Sequence, residues 1–361
     1  MKILHYVDEN NLTWARPWLQ LVKYLEDKGL QNHVLCRPGG SLGGLVSENG
    51  ISLSTYKPLM SSLPHLCLGI PTLIKKVKPD LIHTRLSAAA LIGGYWGRRL
   101  HIPVVSTIDK YPKKKYYRQS TKLIPCSSAI ADHMQNQGFS ETDMQVIFNP
   151  VNVEEYRRDQ QKRENFRDTH GIKYTDFVIL GAGRFVDWKG FDTLLGACSV
   201  LSDNSNPARS WKLWLAGDGP ERQNLESYVH SNSNLGSKVK FWGFMDDIRP
   251  LMWASDLFVL PSHNEPFGLV LLEAMASGLP VIATSSGGPL DLVTSNSGWL
   301  FAEGDVQALA QRLAAILHSD DLESCSSAAQ ERAENFSVEK IGDKTVKFYE
   351  RVIREKQNTR K

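Results

Sequence analysis

Two doubly wound α/β domains are predicted for this chain, and three observations predict them. Its 361 residues suit two domains of ordinary size. Short apolar runs alternate with amphipathic helical stretches, and the alternation restarts after a polar, charged interval at residues 153–175. A composition of 42% hydrophobic and 22% charged residues is that of a globular protein with a sizeable core.

In the first half, residues 3–7 read as a strand, 8–13 as a polar loop and 14–28 as a helix closed by Gly29. A strand over 33–37 runs into the glycine loop 38–44. That loop is not a phosphate-binding P-loop, because no Gly-Lys-Ser/Thr follows it. Residues 66–77 read as a helix and 79–83 as a strand. His83, Thr84 and Arg85 then fall at the strand's carboxyl end, where open α/β sheets bind ligands. A helix over 88–100 and a strand over 103–108 lead into a basic, aromatic segment at 109–118. A strand over 123–127, a helix to 137 and a last strand over 144–148 complete this half.

The second half offers strands over 177–181, 211–216, 239–243, 256–260, 281–284 and 298–301, with helices between them. Residues 305–354 are helical in pattern, and the polar tail 355–361 is expected to fray. The chemistry concentrates where the strand over 256–260 meets a helix opened by Phe267 and Gly268 and stopped by Gly278 and Pro280. Glu265 lies in the loop before that helix, and Glu273 about a turn and a half inside it. Free N–H groups and the dipole at such a helix start suit a phosphate. A carboxylate further along accepts hydrogen bonds from sugar hydroxyls. Taken alone, the two glutamates could equally be a dipole-complementing acid and an exposed helical residue.

The residues around them resemble the retaining glycosyltransferases of family 4. The family's Glu-x7-Glu element is matched by Pro261, Ser262, Glu265, Phe267, Gly268, Glu273, Ala274, Met275, Ala276, Gly278, Pro280 and Val281, with Gly287-Gly288 following. The resemblance implies the GT-B fold, an α/β architecture of two Rossmann-like domains facing across a cleft. It places an acceptor-side domain at 1–150, a donor domain at 151–336 and a C-terminal helix at 337–361 returning to the first domain. It implies transfer of a sugar from a nucleotide diphosphate, UDP being the commonest, to a hydroxyl of a glycan or glycolipid acceptor. The compact size and basic first half look like enzymes of lipopolysaccharide-core or surface-polysaccharide assembly.

The resemblance also assigns residues. Arg184 and Lys189, in the loop opened by Gly183, correspond to the pair that grips the donor diphosphate. Two cations in a glycine-flanked loop are suited to an anionic leaving group. Glu273 should bind the ribose, with Phe267, Gly268 and Leu269 at the phosphates, Gly243 and Phe244 near the base, and Glu265 near the donor sugar. On the acceptor side, Glu9 and Asn11 stand where relatives carry a Gly-Gly pair, and Asp109 stands where many have a His. His83 and Arg85 are further candidates there. Asp109 either accepts a hydrogen bond from a sugar hydroxyl or pairs with Lys110 or Lys113. Neither a metal nor a cofactor is expected, since no Asp-x-Asp accompanies the clamp.

Other classes fit less well. A hydrolase would not require a diphosphate clamp, and no GxGxxG opens either half as an NAD enzyme would need. An epimerase of the same fold is the nearer alternative, and a non-catalytic nucleotide-sugar binder another. Five scattered cysteines without C-x-x-C spacing read as reduced thiols in a cytoplasmic protein. Residues 1–150 hold 18 Lys and Arg against 10 Asp and Glu, whereas the remainder is net acidic. Lys113, Lys114, Lys115 and Arg118, interleaved with tyrosines, suggest an anionic membrane surface as a partner. No nucleic-acid motif accompanies this charge.

Overall fold

The computed structural model describes residues 1–11, 14–204, 209–318 and 322–358. Parts of the expected loop at 8–13 and tail at 355–361 therefore lie outside the described residues. The chain divides into two compact units, Met1–Pro150 with Phe336–Lys361, and Val151–Asn335.

The first unit holds β1 (Lys2–Val7), β2 (Gln31–Cys36), β3 (Ser52–Thr55), β4 (Leu81–Arg85), β5 (Val104–Ile108) and β6 (Lys122–Pro125). They form one sheet in the order β3-β2-β1-β4-β5-β6, and every pairing is parallel. The order reverses direction between β1 and β4, so ligands are expected at the carboxyl ends of those two strands.

Two expectations for this half need correction. The third strand is Ser52–Thr55, a short, half-exposed edge strand whose polar sequence carries no apolar run to announce it. Residues 144–148 are not a strand, apart from an isolated bridge between Met144 and Leu123. Their apolar character has another origin: Ile147 and Phe148 pack with Ile341, Phe348, Tyr349 and Val352 of the last helix, Val338–Asn358. The glycine-rich segment also folds further than a loop, into the short helix Leu42–Glu48. The last helix sits in this unit through its apolar face. Gly342 lies where any Cβ would strike the Tyr24 ring at 2.2 Å, and the Tyr24 hydroxyl donates to Asp343 at 2.9 Å.

The second unit contains β7 (Phe177–Ala182), β8 (Trp211–Ala216), β9 (Val239–Gly243), β10 (Leu257–Leu260), β11 (Val281–Thr284) and β12 (Gly298–Phe301). Its sheet runs β12-β11-β10-β7-β8-β9, again all parallel. β7, β10 and β11 are buried along their whole length. That is why they read as continuous apolar runs rather than alternating ones. Here the switch point lies between β7 and β10. Asp256 anchors the start of β10, accepting from Arg163 at 2.6 Å, from Arg167 at 3.3 Å and from the Val178 N–H at 2.7 Å.

Candidate active site

The loops after β7 and β10 meet at the second unit's switch point. After β7 the chain makes a single 3-10 turn, Asp187–Lys189, closed by Gly190 at φ 64°. A Cβ on Gly190 would fall 2.1 Å from the Pro261 carbonyl oxygen, so only glycine lets the two loops approach. The contact is stitched by the His263 N–H, which donates to the Trp188 carbonyl at 2.7 Å. The result brings the Lys189 ammonium 2.6 Å from a Glu265 carboxylate oxygen, with both side chains largely buried. Lys189 also lies over the Trp188 ring at 4.4 Å. Arg184, five residues earlier on the same loop, is exposed.

Glu265 is held from its other side too. Its carbonyl accepts the Gly288 N–H at 2.7 Å. The preceding Asn264 has a left-handed backbone, φ 48°. Its N–H donates to Glu303, which also accepts from the Ser286 hydroxyl and faces His263. Burial raises the Glu303 carboxyl, but Ser286, the Asn264 N–H and His263 outweigh it and leave the pKa lowered. Glu303 escaped the sequence reading because it follows β12, forty residues from the loop it secures.

The helix after Glu265 is Leu269–Ala276, entered through Gly268 at φ 93°. Its first intrahelical bond runs from the Leu272 N–H to the Gly268 carbonyl. The N–H groups of Leu269, Val270 and Leu271 are thus the end of the helix that an anion can use. The Phe267 side chain is packed inside, 4% exposed, so the residue reaches a ligand through its backbone, as expected of a helix start.

Glu273 projects from this helix toward Tyr156, which follows the start of the second unit. Desolvation raises the Glu273 carboxyl from 4.5 to about 7, and the hydrogen bond from the Tyr156 hydroxyl opposes that rise. Tyr156 is itself fixed by the Trp253 indole, which donates to its carbonyl at 2.8 Å. Neither aromatic stands out in the sequence as part of a site. At the end of β9, Gly243 has φ 73° and Phe244 is 67% exposed, an open aromatic face at the same carboxyl edge of the sheet.

In the first unit the acceptor-side candidates separate into two groups. His83 lies inside β4 rather than at a loop. It is buried, and its ring nitrogens meet the Tyr349 hydroxyl at 2.5 Å and the Thr107 hydroxyl at 2.7 Å. Burial, then His5 and Arg85, drive its pKa well below the usual value, so it is a neutral tie to the last helix. Both ring nitrogens of His83 are thus engaged inside the first unit. Arg85 is buried as well. It donates to Asp109 at 3.4 Å and to Asn149 at 3.2 Å, and stacks over Trp14 at 5.0 Å.

Asp109 therefore pairs with Arg85, not with Lys110 or Lys113, and also accepts from the Asn149 amide at 3.2 Å. Asp109→Ala is expected to destabilise the protein by about 3 kcal/mol, because it strands a buried guanidinium. Asp109→Asn should cost less. Urea unfolding measures both, and an unchanged kcat/KM for the acceptor in the Asn variant would assign Asp109 to the framework alone. Glu9 is exposed. Asn11 accepts from the Ser41 N–H at 2.8 Å, fastening the glycine loop at the start of helix Leu42–Glu48.

The basic segment is less open than its sequence suggests. The Lys114 ammonium donates to the Gly138 carbonyl at 3.1 Å, and Tyr117 is 2% exposed. Tyr117 cannot sit among lipid headgroups, whereas Lys113, Lys115 and Arg118 are exposed. No described helix is long and apolar enough to cross a membrane.

Comparison with known proteins bears on the family and the fold. The family description "Glycosyl transferases group 1" matches residues 162–334, and "Glycosyltransferase Family 4" matches 16–155. The lipopolysaccharide core biosynthesis glycosyltransferase LpsE of Rhizobium meliloti is 29% identical over 327 residues, 89% of this chain and 90% of that one. An Escherichia coli UDP-Gal:alpha-D-GlcNAc-diphosphoundecaprenol alpha-1,3-galactosyltransferase is 26% identical over 92% of each chain. Among solved structures, Anabaena Alr3699/HepE in complex with UDP superposes with a TM-score of 0.84 at 24% identity, over 96% of this chain and 99% of that one. Two all-parallel six-stranded sheets, the matched segments and these neighbours agree: the chain belongs to the family 4 glycosyltransferases, with the GT-B fold.

Proposed function

We propose that this enzyme moves a sugar, with retention of anomeric configuration, from a UDP-sugar to a hydroxyl of a lipopolysaccharide-core or surface-polysaccharide acceptor. The observation that carries the donor half is the Lys189 ammonium on Glu265, in the loop that leads into the start of the helix Leu269–Ala276 at the switch point. A diphosphate there meets Lys189, Arg184 and the N–H groups of Leu269–Leu271. Its negative charge grows as the bond to the sugar breaks, so these groups stabilise the transition state more than the ground state. Glu273 receives the ribose hydroxyls, Phe244 offers a face to the base, and Glu265 lies at the donor sugar. Two relatives, a lipopolysaccharide core biosynthesis glycosyltransferase and a galactosyltransferase named for a GlcNAc-diphosphoundecaprenol acceptor, support this acceptor class. Such an acceptor puts the enzyme in the cytoplasm, peripheral to an anionic membrane.

Incubation with a panel of nucleotide sugars, with and without acceptor, tests the reading. Transfer product with retained configuration by NMR supports it, and an epimerised sugar formed without acceptor overturns it. Two cations and a helix start replace a metal in this scheme. Activity is therefore expected to persist in excess chelator, and abolition that magnesium or manganese reverses would refute metal independence.

A further inference from the structure

The segment joining β3 to the helix Gly69–Val77 is inverted relative to an ordinary surface loop. Several of its small residues face the body of the first unit, although Ser62 and His65 are exposed. Ser61 donates to the buried Asp8 carboxylate at 2.8 Å and meets Arg37 at 3.1 Å. Pro58 and Cys67 are buried, and the Trp96 indole donates to the Pro64 carbonyl at 2.9 Å. A Cβ on Gly69 would lie 2.2 Å from the Tyr56 ring, so the helix start is pressed against that aromatic. The large apolar side chains point the other way. Leu59 is 92% exposed and Leu68 66%, with Met60, Leu63 and Leu66 also exposed. Five such residues within ten positions, on a segment pinned at several points, form a fixed ledge rather than scattered surface leucines.

The exposed charges flanking the ledge in sequence are mainly cationic. Leu68, Thr72, Lys75 and Lys76 follow helical spacing along one exposed face. Tyr95 faces His65 of the ledge at 6.5 Å, and the Arg99 guanidinium stacks on Tyr95 at 3.8 Å. Lys57 is exposed just before Leu59. Between Glu48 and Asp109 the sequence contains a single carboxylate side chain, Asp80, and it accepts from the Lys2 N–H at 2.8 Å. Exposed apolar side chains flanked by Lys57, Lys75, Lys76 and Arg99 complement a surface that is anionic outside and hydrocarbon beneath.

From this we infer that the Leu59–Leu68 ledge docks the enzyme on an anionic bilayer, inserting its leucines at the headgroup boundary with Lys57, Lys75, Lys76 and Arg99 against the lipid charges. The inference rests on the peripheral-membrane reading above and moves the contact away from Lys113–Arg118. Flotation with phosphatidylcholine vesicles, with and without phosphatidylglycerol, at low and high salt, tests it.

The 361-residue chain should partition onto the anionic vesicles. Changing Leu59, Leu63, Leu66 and Leu68 to Ser should lower that partition by about a hundredfold, and Lys75→Glu with Lys76→Glu by at least about tenfold. UDP binding should be unchanged in both, which also reports that the donor-side unit is folded. The lysine variant keeps every leucine, so it tests the ledge even where the leucine variant fails to fold. Retained vesicle binding in the leucine variant, with loss in Lys113→Ala, Lys114→Ala, Lys115→Ala, overturns the ledge and keeps the membrane reading. No vesicle binding by the unsubstituted protein overturns both. Self-association that the leucine changes abolish makes the ledge an interface between copies and overturns the lipid assignment.

Discussion

Lys189→Ala is expected to lose about a hundredfold in turnover and about 3 kcal/mol in stability, two effects with different origins. The turnover loss, about 3 kcal/mol of barrier, comes from removing a cation where the departing diphosphate gathers charge. The stability loss comes from Glu265. The Lys189 ammonium lies 2.6 Å from that buried carboxylate. Removing one partner of such a pair leaves the other desolvated and unpaired. The double substitution Lys189→Met with Glu265→Gln removes both charges and should return stability to within about 1 kcal/mol of the original. Turnover should stay low. Urea unfolding and steady-state kinetics on the unsubstituted protein and these two variants separate the effects. Normal turnover in folded Lys189→Ala would end the diphosphate assignment. The pair also implies that a bound donor competes with Glu265 for Lys189.

Donor affinity should fall below pH 7, by up to about tenfold per pH unit, if the ribose requires the Glu273 carboxylate. Burial lifts that carboxyl from 4.5 to about 7. A ligand that hydrogen-bonds to the charged form must displace the proton, so binding near pH 6 should release one. Titration calorimetry in buffers of different ionisation enthalpy measures the release. Stability runs opposite to that of a salt-bridged acid. The folded pKa is raised, so the native state holds the extra proton between pH 4.5 and about 7. Glu273 therefore weakens the fold progressively across that window, by at most about 3 kcal/mol above it, because the carboxyl keeps some solvent contact. Glu273→Gln should stabilise the protein at pH 8 and flatten the pH dependence of nucleotide binding. Tyr156→Phe removes the hydrogen bond that opposes the rise and should move the binding profile to higher pH. A Tyr156→Phe profile coincident with the unsubstituted one would remove Tyr156 from the site.

Composition, alternation and one long motif determined the fold class, the six strands of the second unit and the positions of Glu265, Glu273 and Lys189. They are legible because β7, β10 and β11 are buried throughout and their loops break at glycines and prolines, which are local signals. The tertiary structure alone decided what has no local signal. It took apolar residues 144–148 out of the sheet and packed them under the last helix, and added the polar edge strand Ser52–Thr55. It turned His83 inward to Tyr349 across 266 residues of sequence, gave Asp109 to Arg85, and set Tyr156 on Glu273 and Glu303 on the Asn264 backbone. In each case the partner lies far along the chain. Only packing decides which of several chemically equivalent groups comes within hydrogen-bond reach, and whether burial then shifts its charge.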